Sequence, residues 1–371
     1  MTSGIGLAFA HTGGTLQAMS RLALLSAVSL AFATPLAAQE NAAPITPANP
    51  VTPDSIVAAS TPEEWTEIDP GDLLVMVLAP GDDESPRFVV IQLIPAPFSQ
   101  PWVENIRTLA RAHWWDGTSV YRVVDNWVAQ WGDVSEDRPL PEGVVSPESE
   151  YASVLPPAPE FDQAVFPLTA MLRSMWIEEF VTGEIVEAPN ADAIKQAIAR
   201  QKGDSYALET AFVGGWPMGS GPDTQRSTTA WPVHCYASVG VARDLAPDTG
   251  TGSELYAVIG HAPRQLDRNI AVVGRVIDGI EHLSTLRRGT GDAGVYESRD
   301  QDTPILSVRL ASETEEAEHW RYQYLSTQSE SFARYVAVRA NRNDAFYTVP
   351  ASGVDICNVP VPIRHIDPLT E

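Results

Sequence analysis

Apolar positions along this chain of 371 residues come in short runs set between turn residues. Leu73-Leu74-Val75-Met76-Val77-Leu78 is one such run, Gly81-Asp82-Asp83 interrupts it, and Arg87-Phe88-Val89-Val90-Ile91-Gln92-Leu93-Ile94 is the next. Their length and β-branched content predict two strands joined as a hairpin. The period then changes. Trp102, Val103, Ile106, Leu109 and Ala110 recur at helical spacing behind Ser99, with Arg107 and Arg111 on the other side, which predicts a helix over Pro101–Ala112. After a turn at Asp116-Gly117, residues 118–124 and 127–131 again read as strands. Ile280, Leu283 and Leu286 share one face of a second helix predicted over Asp278–Arg287, and Pro304–Leu310 reads as a late strand.

Between these parts the pattern differs. The Pro-rich stretches Arg138-Pro139-Leu140-Pro141 and Leu155-Pro156-Pro157-Ala158-Pro159 precede a helical pattern at Leu168, Met171, Leu172, Met175 and Ile177. A further helix is capped by Asn190 and carries Ala193, Ile194, Ala197 and Ile198. Such stripes are expected to pack on the parent domain, a partner groove being the alternative. Toward the end, Ser312-Glu313-Thr314-Glu315 reads as a capping box starting a helix that carries Trp320, Tyr324 and Leu325. The alternation Ala333-Arg334-Tyr335-Val336-Ala337-Val338-Arg339 reads as one more strand.

The N-terminal residues change the picture of where the chain works. Arg21 precedes the apolar run Leu22–Ala33, followed by Thr34-Pro35-Leu36-Ala37-Ala38, which predicts a secretory signal peptide cleaved after Ala38. The run is shorter than the roughly 20 residues that span a bilayer, so export without a stable membrane anchor is expected, with Met19 as well as Met1 a candidate start. Residues 39–64 have a Pro/Ala-rich linker composition, and order is expected to begin near Trp65. Charge adds an exclusion: 24 Lys and Arg against 48 Asp and Glu give a formal net charge of −24. That surface repels phosphate backbones and anionic head groups, so neither nucleic acid nor a membrane surface is an expected partner. Cys235 and Cys357 are the only cysteines. In an oxidising compartment they are expected to form one disulfide fastening the tail to the main domain, two buried thiols being the alternative.

One run carries a resemblance. Trp114-Trp115-Asp116-Gly117-Thr118-Ser119-Val120-Tyr121-Arg122-Val123-Val124-Asp125-Asn126-Trp127-Val128-Ala129-Gln130-Trp131-Gly132-Asp133 resembles the cyclophilin signature, in which Tyr-Asp-Gly-Thr leads to His-Arg-Val and then Phe-x-x-Gln-Gly-Gly-Asp. Downstream, Ser238–Asp244, Ser253–Val258, Leu266–Asn269 and Val272–Ile280 resemble the rest of that family's pattern in the same order. The resemblance implies a mainly β fold, a closed eight-stranded antiparallel barrel with two capping helices. Outside it would lie a helical insertion and a C-terminal α/β extension. The expected organisation is therefore signal peptide 1–38, linker 39–64, first barrel part 65–135, insertion 136–210, second barrel part 211–312 and extension 313–371.

The chemistry implied is cis/trans isomerisation of the bond before proline, on proline-containing polypeptide clients in the periplasm, by a monomer without cofactor or metal. Arg122 matches the family's catalytic arginine and Gln130 the glutamine that bonds the substrate backbone. Trp127, Val128, Glu254, Tyr256, Leu266 and Ile270 match positions lining the proline pocket. A planar, always charged guanidinium suits a prolyl nitrogen that becomes a hydrogen-bond acceptor as the amide twists.

Departures from the family pattern keep a second reading open. Trp127 and Tyr256 stand where Phe is usual, Glu254 where Gln is common, Ile270 where His or Tyr is common, Val273 where Phe is usual, and Trp131 replaces a Gly. Trp127 is expected to narrow the pocket, and Glu254 to pair with Arg122 in competition with substrate. The alternative function is a catalytically weak, cyclophilin-like binding or chaperone module. Other motifs carry less. Asp248-Thr249-Gly250-Thr251 lacks the second aspartate of an acid protease, Gly214–Gly221 lacks the Lys-Ser/Thr ending of a phosphate loop and reads as a turn, and the His residues have no ligand spacing.

Overall fold

The computed structural model describes residues 51–366 apart from 82–83, 149, 155–203, 223–227, 316, 343–345, 350 and 352. The apolar runs Leu73–Leu78 (β2) and Arg87–Leu93 (β3) form the expected hairpin, paired antiparallel from Leu73 opposite Gln92 to Leu78 opposite Arg87. They belong to a closed barrel with β4 (Ser119–Val123), β5 (Val128–Gly132), β10 (Ser238–Val241), β11 (Leu255–Val258), β12 (Val272–Asp278) and β13 (Thr303–Leu310). The strand order around it is β10-β11-β5-β4-β13-β2-β3-β12, antiparallel throughout. Closure leaves no barrel strand with an unpaired edge.

The interior is filled from alternate strand positions, among them Leu74, Met76, Val89, Ile91, Val120, Val123, Ala129, Trp131, Leu255, Ala257 and Val273. Trp131 and Val273, both departures from the family pattern, therefore lie in the core and not in the pocket. Helix α2 (Gln100–Arg111) covers one end of the barrel with Trp102, Val103, Ile106, Leu109 and Ala110. Its opposite side carries Arg107 and Arg111, paired with Asp72 and Glu313. Ser99 occupies the N-cap position without a side-chain bond; the Gln100 amide instead donates to the carbonyls of Ile94 and Phe98 at 3.1 and 2.8 Å. The second helix, α3, is confined to Glu281–Ser284. Gly279 takes φ +76° tight against the Phe88 carbonyl, so helical backbone begins only after it; Leu283 is buried as expected, with Ile280 and Leu286 packed against the core.

A second core lies outside the barrel. Strand β6 (Ser153–Val154) starts a four-stranded sheet completed by β9 (Thr228–Pro232), β8 (Trp216–Pro222) and β7 (Glu209–Val213), in that spatial order. Residues 211–213, 216–222 and 228–232, expected in the barrel, thus belong to this sheet. Within the expected turn Gly214–Gly221, only Gly214-Gly215 turn, and the rest is strand β8. Of the insertion, the described residues contribute β6 and the start of β7 and otherwise run as turns and loops, while the helices expected at Leu168–Ile177 and Asn190–Ile198 lie outside the described residues.

Helix α1 (Pro53–Ala59) occupies part of the expected linker. Thr52 and Ser55 form a reciprocal cap, Pro53 opens the first turn, and Ile56 is buried beside α4 (Glu330–Ala340). Strands β1 (Trp65–Glu67), β14 (Tyr322–Leu325) and β15 (Ile363–His365) form a three-stranded sheet in the order β1-β14-β15. Two expectations for the extension are overturned. The capping-box segment makes only a 3₁₀ turn, Ala311–Glu313, and Tyr324 and Leu325 sit in β14, paired with Thr66 and Trp65. The alternating segment 333–339 lies in α4, where the Ser329 hydroxyl caps Phe332 N–H and Phe332, Tyr335, Val336 and Ala340 form the buried face.

Ile56, Phe212, Trp231, Val233, Leu325, Phe332, Val336, Ile356 and Val359 join α1, the four-stranded sheet and the C-terminal extension into this second core. Cys235 and Cys357 form the expected disulfide, with Cα atoms 5.0 Å apart. It ties the C-terminal segment to the approach of β10. No helix among the described residues is long and apolar enough to cross a membrane.

Candidate functional site

The outward face of β4, β5 and β11 gathers most of the sequence-selected residues. A β-bulge on β4 between Val120 and Arg122 sets both Tyr121 and Arg122 against Gln130 on β5, and Gln130 in turn lies opposite Tyr256 on β11. Ordinary alternation would turn Arg122 away from Tyr121.

Arg122 is fixed from two sides. Its Nε donates to the Ala293 carbonyl at 2.7 Å and its Nη1 to Gln130 Oε1 at 2.8 Å. Its guanidinium carbon lies 5.4 Å from the Trp127 ring centre. Nη2 has no hydrogen-bond partner among the described residues. Partial burial lowers its pKa from the ordinary arginine value, which marks a cation drawn partly out of water.

Beside the guanidinium, Val128, Tyr256 and Val258 form a buried apolar cluster of their own, against which Val124, Trp127, Ala242, Leu266 and Ile270 pack. The sequence-selected Trp127, Val128, Tyr256, Leu266 and Ile270 are thus brought together. Tyr256 is fastened from behind. Its hydroxyl meets His234 Nε2 at 3.0 Å, and His234 Nδ1 lies 2.9 Å from Asp267 Oδ1. Asp267 also accepts from Arg264 Nε at 2.6 Å, and Arg264 holds Asp204 through both terminal nitrogens. This leaves an apolar ring facing the pocket and a satisfied hydroxyl in the interior.

Glu254 is placed differently from expectation. It makes no ion pair with Arg122; its Oε2 accepts from the Tyr121 hydroxyl at 2.8 Å and its Oε1 from the Asp133 backbone N–H at 2.6 Å. The side chain lies directly over Gly132, where a Cβ would come within 2.2 Å of all three carboxylate atoms. Adjacent strands carry Glu254 to Tyr121, not to the arginine that follows it. Burial pushes its carboxyl up to about 7, against the opposing effect of those hydrogen bonds.

Tyr121, His234 and the Ala293 carbonyl are the contributors that sequence reasoning passed over. Tyr121 is buried, and desolvation together with the Glu254 charge pushes its phenol pKa up. Its position beside Arg122 was the available signal. His234 and Ala293 carry none, because their partners are remote in sequence.

The arrangement is a fixed guanidinium beside a buried apolar cluster, flanked by an amide. It contains no nucleophile aligned with a general base, and it suits a reaction that needs only shape and hydrogen-bond donation.

Comparison with known proteins bears on the fold and the family. The chain is similar to a cyclophilin from Hirschia baltica, AquaCyp293, at 17% identity with a TM-score of 0.57, covering 85% of this chain and 99% of that one. A cyclophilin type peptidyl-prolyl cis-trans isomerase from Cryptosporidium parvum, crystallised in the presence of the dipeptide Ala-Pro, aligns at 10% identity with a TM-score of 0.32, covering 64% of this chain and 98% of that one. No curated protein matches. The sequence model of cyclophilin type peptidyl-prolyl cis-trans isomerases matches residues 96–311, the span that holds Arg122, Gln130 and every residue of the apolar cluster, and this chain belongs to that family.

Proposed function

We propose that this chain accelerates rotation about Xaa-Pro bonds in exported polypeptides, with Arg122 as the catalytic hydrogen-bond donor. The observation that carries the reading is the guanidinium held by Ala293 and Gln130 beside the apolar cluster of Val128, Tyr256 and Val258, against which Trp127, Leu266 and Ile270 pack. The uncatalysed barrier is about 18–20 kcal/mol, because rotation breaks amide resonance. Exchange then takes tens to hundreds of seconds. As the bond twists, the prolyl nitrogen loses conjugation and becomes an acceptor; a donor already in place stabilises that geometry more than the planar one.

Each neighbouring group has a part. The recess holds the proline ring while the preceding carbonyl swings. Gln130 spends its oxygen on Arg122 and one amide hydrogen on Tyr121, leaving the second amide hydrogen for a substrate carbonyl. Trp127 closes the recess on the Arg122 side.

Export to the periplasm is part of the same proposal. The positive residue, short apolar run and small residues ending at Ala38 support a cleaved signal, and the Cys235–Cys357 bond supports an oxidising compartment. N-terminal sequencing of protein recovered from the periplasm is expected to begin at Gln39; recovery of uncleaved protein from the cytosol would refute export. For the activity, exchange of a short Xaa-Pro peptide is followed with the purified protein and with Arg122→Ala. Turnover in the parent and none in the folded variant is expected. No turnover in either leaves the chain as a binding module.

A further inference from the structure

The hydrogen bonds behind Gln130 run in one direction. Arg122 Nη1 donates to Gln130 Oε1 at 2.8 Å, Gln130 Nε2 donates to the Tyr121 hydroxyl at 2.5 Å, and that hydroxyl donates to Glu254 Oε2 at 2.8 Å. From the other end, the Asp133 backbone N–H donates to Glu254 Oε1 at 2.6 Å. A guanidinium and a backbone amide only donate, whereas Gln and Tyr each pass a bond along, accepting on one side and donating on the other. A row with donors at both ends needs a group that only accepts, and an ionised carboxylate is that group.

We infer that Glu254 and Tyr121 are positioning residues for the isomerase site: the Glu254 carboxylate sets the direction of hydrogen bonding through Tyr121 and Gln130, so that Gln130 presents its oxygen to Arg122. The inference rests on the proposed role of Arg122. A proton on Glu254 Oε2 turns that oxygen from an acceptor into a donor. If it is given to Tyr121, the phenol hydrogen must turn toward Gln130, the amide must flip to accept it, and the Gln130 NH₂ then faces the guanidinium. Donor meets donor, and Arg122 keeps only its bond to Ala293. Low local dielectric makes such a mismatch costly.

Glu254 loses its proton near neutrality because burial pushes its pKa up to about 7. The titratable groups facing it are Tyr121 on β4 and Asp133 and Glu136 after β5; the two carboxylates oppose its ionisation. The cations nearby are Arg122, at the far end of the row, and Arg138, whose backbone N–H donates to Asp133. The apolar side chains have no part in the row, so the seat of the proline ring is expected to be insensitive to the Glu254 proton, whereas Gln130, which also offers its second amide hydrogen to substrate, carries the proton's effect into kcat and, to a smaller extent, into KM.

The test is the pH dependence of kcat and KM between pH 5.5 and 9 for the parent, Glu254→Gln and Tyr121→Phe, with Arg122→Ala as control and circular dichroism to establish folding. The parent kcat is expected to rise about tenfold from pH 6 to pH 8.5, following one ionisation near 7, with KM changing less than kcat. Glu254→Gln, whose amide accepts through only one atom, is expected to give a flat profile at the parent's low-pH level. Tyr121→Phe is expected to be flat as well. A flat parent profile, or folded variants that keep the parent's kcat and slope, would overturn the inference while a silent Arg122→Ala upheld the isomerase reading. Turnover that survives Arg122→Ala would overturn that reading itself.

Discussion

Gly240 and Tyr256 lie opposite each other on β10 and β11, and the tyrosine ring occupies the space that a side chain on Gly240 would fill. A Cβ there would come within 2.4 Å of the Tyr256 ring and hydroxyl. The absent side chain lets the ring lie flat across β10 and carry its hydroxyl to His234. Gly240→Ala is therefore expected to destabilise the protein by about 1–3 kcal/mol, as overpacking does. Because the displaced ring forms a wall of the recess, KM for an Xaa-Pro peptide should rise more than kcat falls. Denaturant melts and steady-state kinetics of the variant check both; a variant with parental stability would show that the ring has room to move.

Arg122 separates charge from geometry. Lysine keeps the positive charge and loses the planar fork that reaches Ala293 and Gln130 together. Arg122→Lys is expected to lower kcat by about 10²-fold, the scale for losing a preorganised donor, with KM little changed since the recess is intact. Steady-state constants measured at pH 8 decide it. A lysine variant within a few-fold of the parent would mean that charge alone suffices.

Much of this site was legible because its residues are close in sequence. Arg122, Trp127, Val128 and Gln130 lie on two neighbouring strands within one quoted run, and the hairpin's local pairing brings them together. Glu254 lies beside Tyr121 and the Asp133 backbone, and its expected pairing with Arg122 is absent. Its bond to Tyr121 spans 133 residues and depends on how β11 lies beside β5, which no local pattern records. The same limit explains the accessory sheet. The sequence assigns 211–312 to the barrel as one span and reads Gly214–Gly221 as a turn, whereas the pairings that make β7, β8 and β9 a separate sheet are not recorded in any local pattern. In α4 the alternation of Ala333 to Arg339 also satisfies a helical stripe through Tyr335 and Val336, and burial against α1 settled the choice. In β14, the partners that make Tyr322–Leu325 a strand lie at Trp65–Glu67 and Ile363–His365.

The Cys235–Cys357 bond closes the chain over a separation of 122 residues and ties the C-terminal segment to the approach of β10. Removing it is expected to cost about 2–4 kcal/mol, chiefly by freeing the unfolded chain. The paired variant Cys235→Ala and Cys357→Ala avoids leaving a lone thiol. Its denaturation midpoint should match that of the reduced parent, both lying below the oxidised parent. Equal midpoints for oxidised and reduced protein would show that the second core holds the C-terminal segment without the bond.

Glu254 links stability to pH in the opposite sense from its effect on catalysis. Burial raises its folded-state pKa from 4.5 to about 7, so the folded chain keeps this proton at pH values where the unfolded chain has lost it. The stabilisation from this group is fully present below pH 4.5 and is lost as pH rises through about 7. The shift corresponds to about 3 kcal/mol at most, at 1.36 kcal/mol per pKa unit. Glu254→Gln carries no charge to bury. It should therefore gain stability relative to the parent at pH 8, and the gain should shrink as pH falls toward 5. Denaturant midpoints of both proteins at the two pH values test this. A constant difference across that range would show that the carboxylate is not held at a cost, whereas the expected shrinking gain would make Glu254 a residue kept charged, against stability, by what its charge does for Gln130 and Arg122.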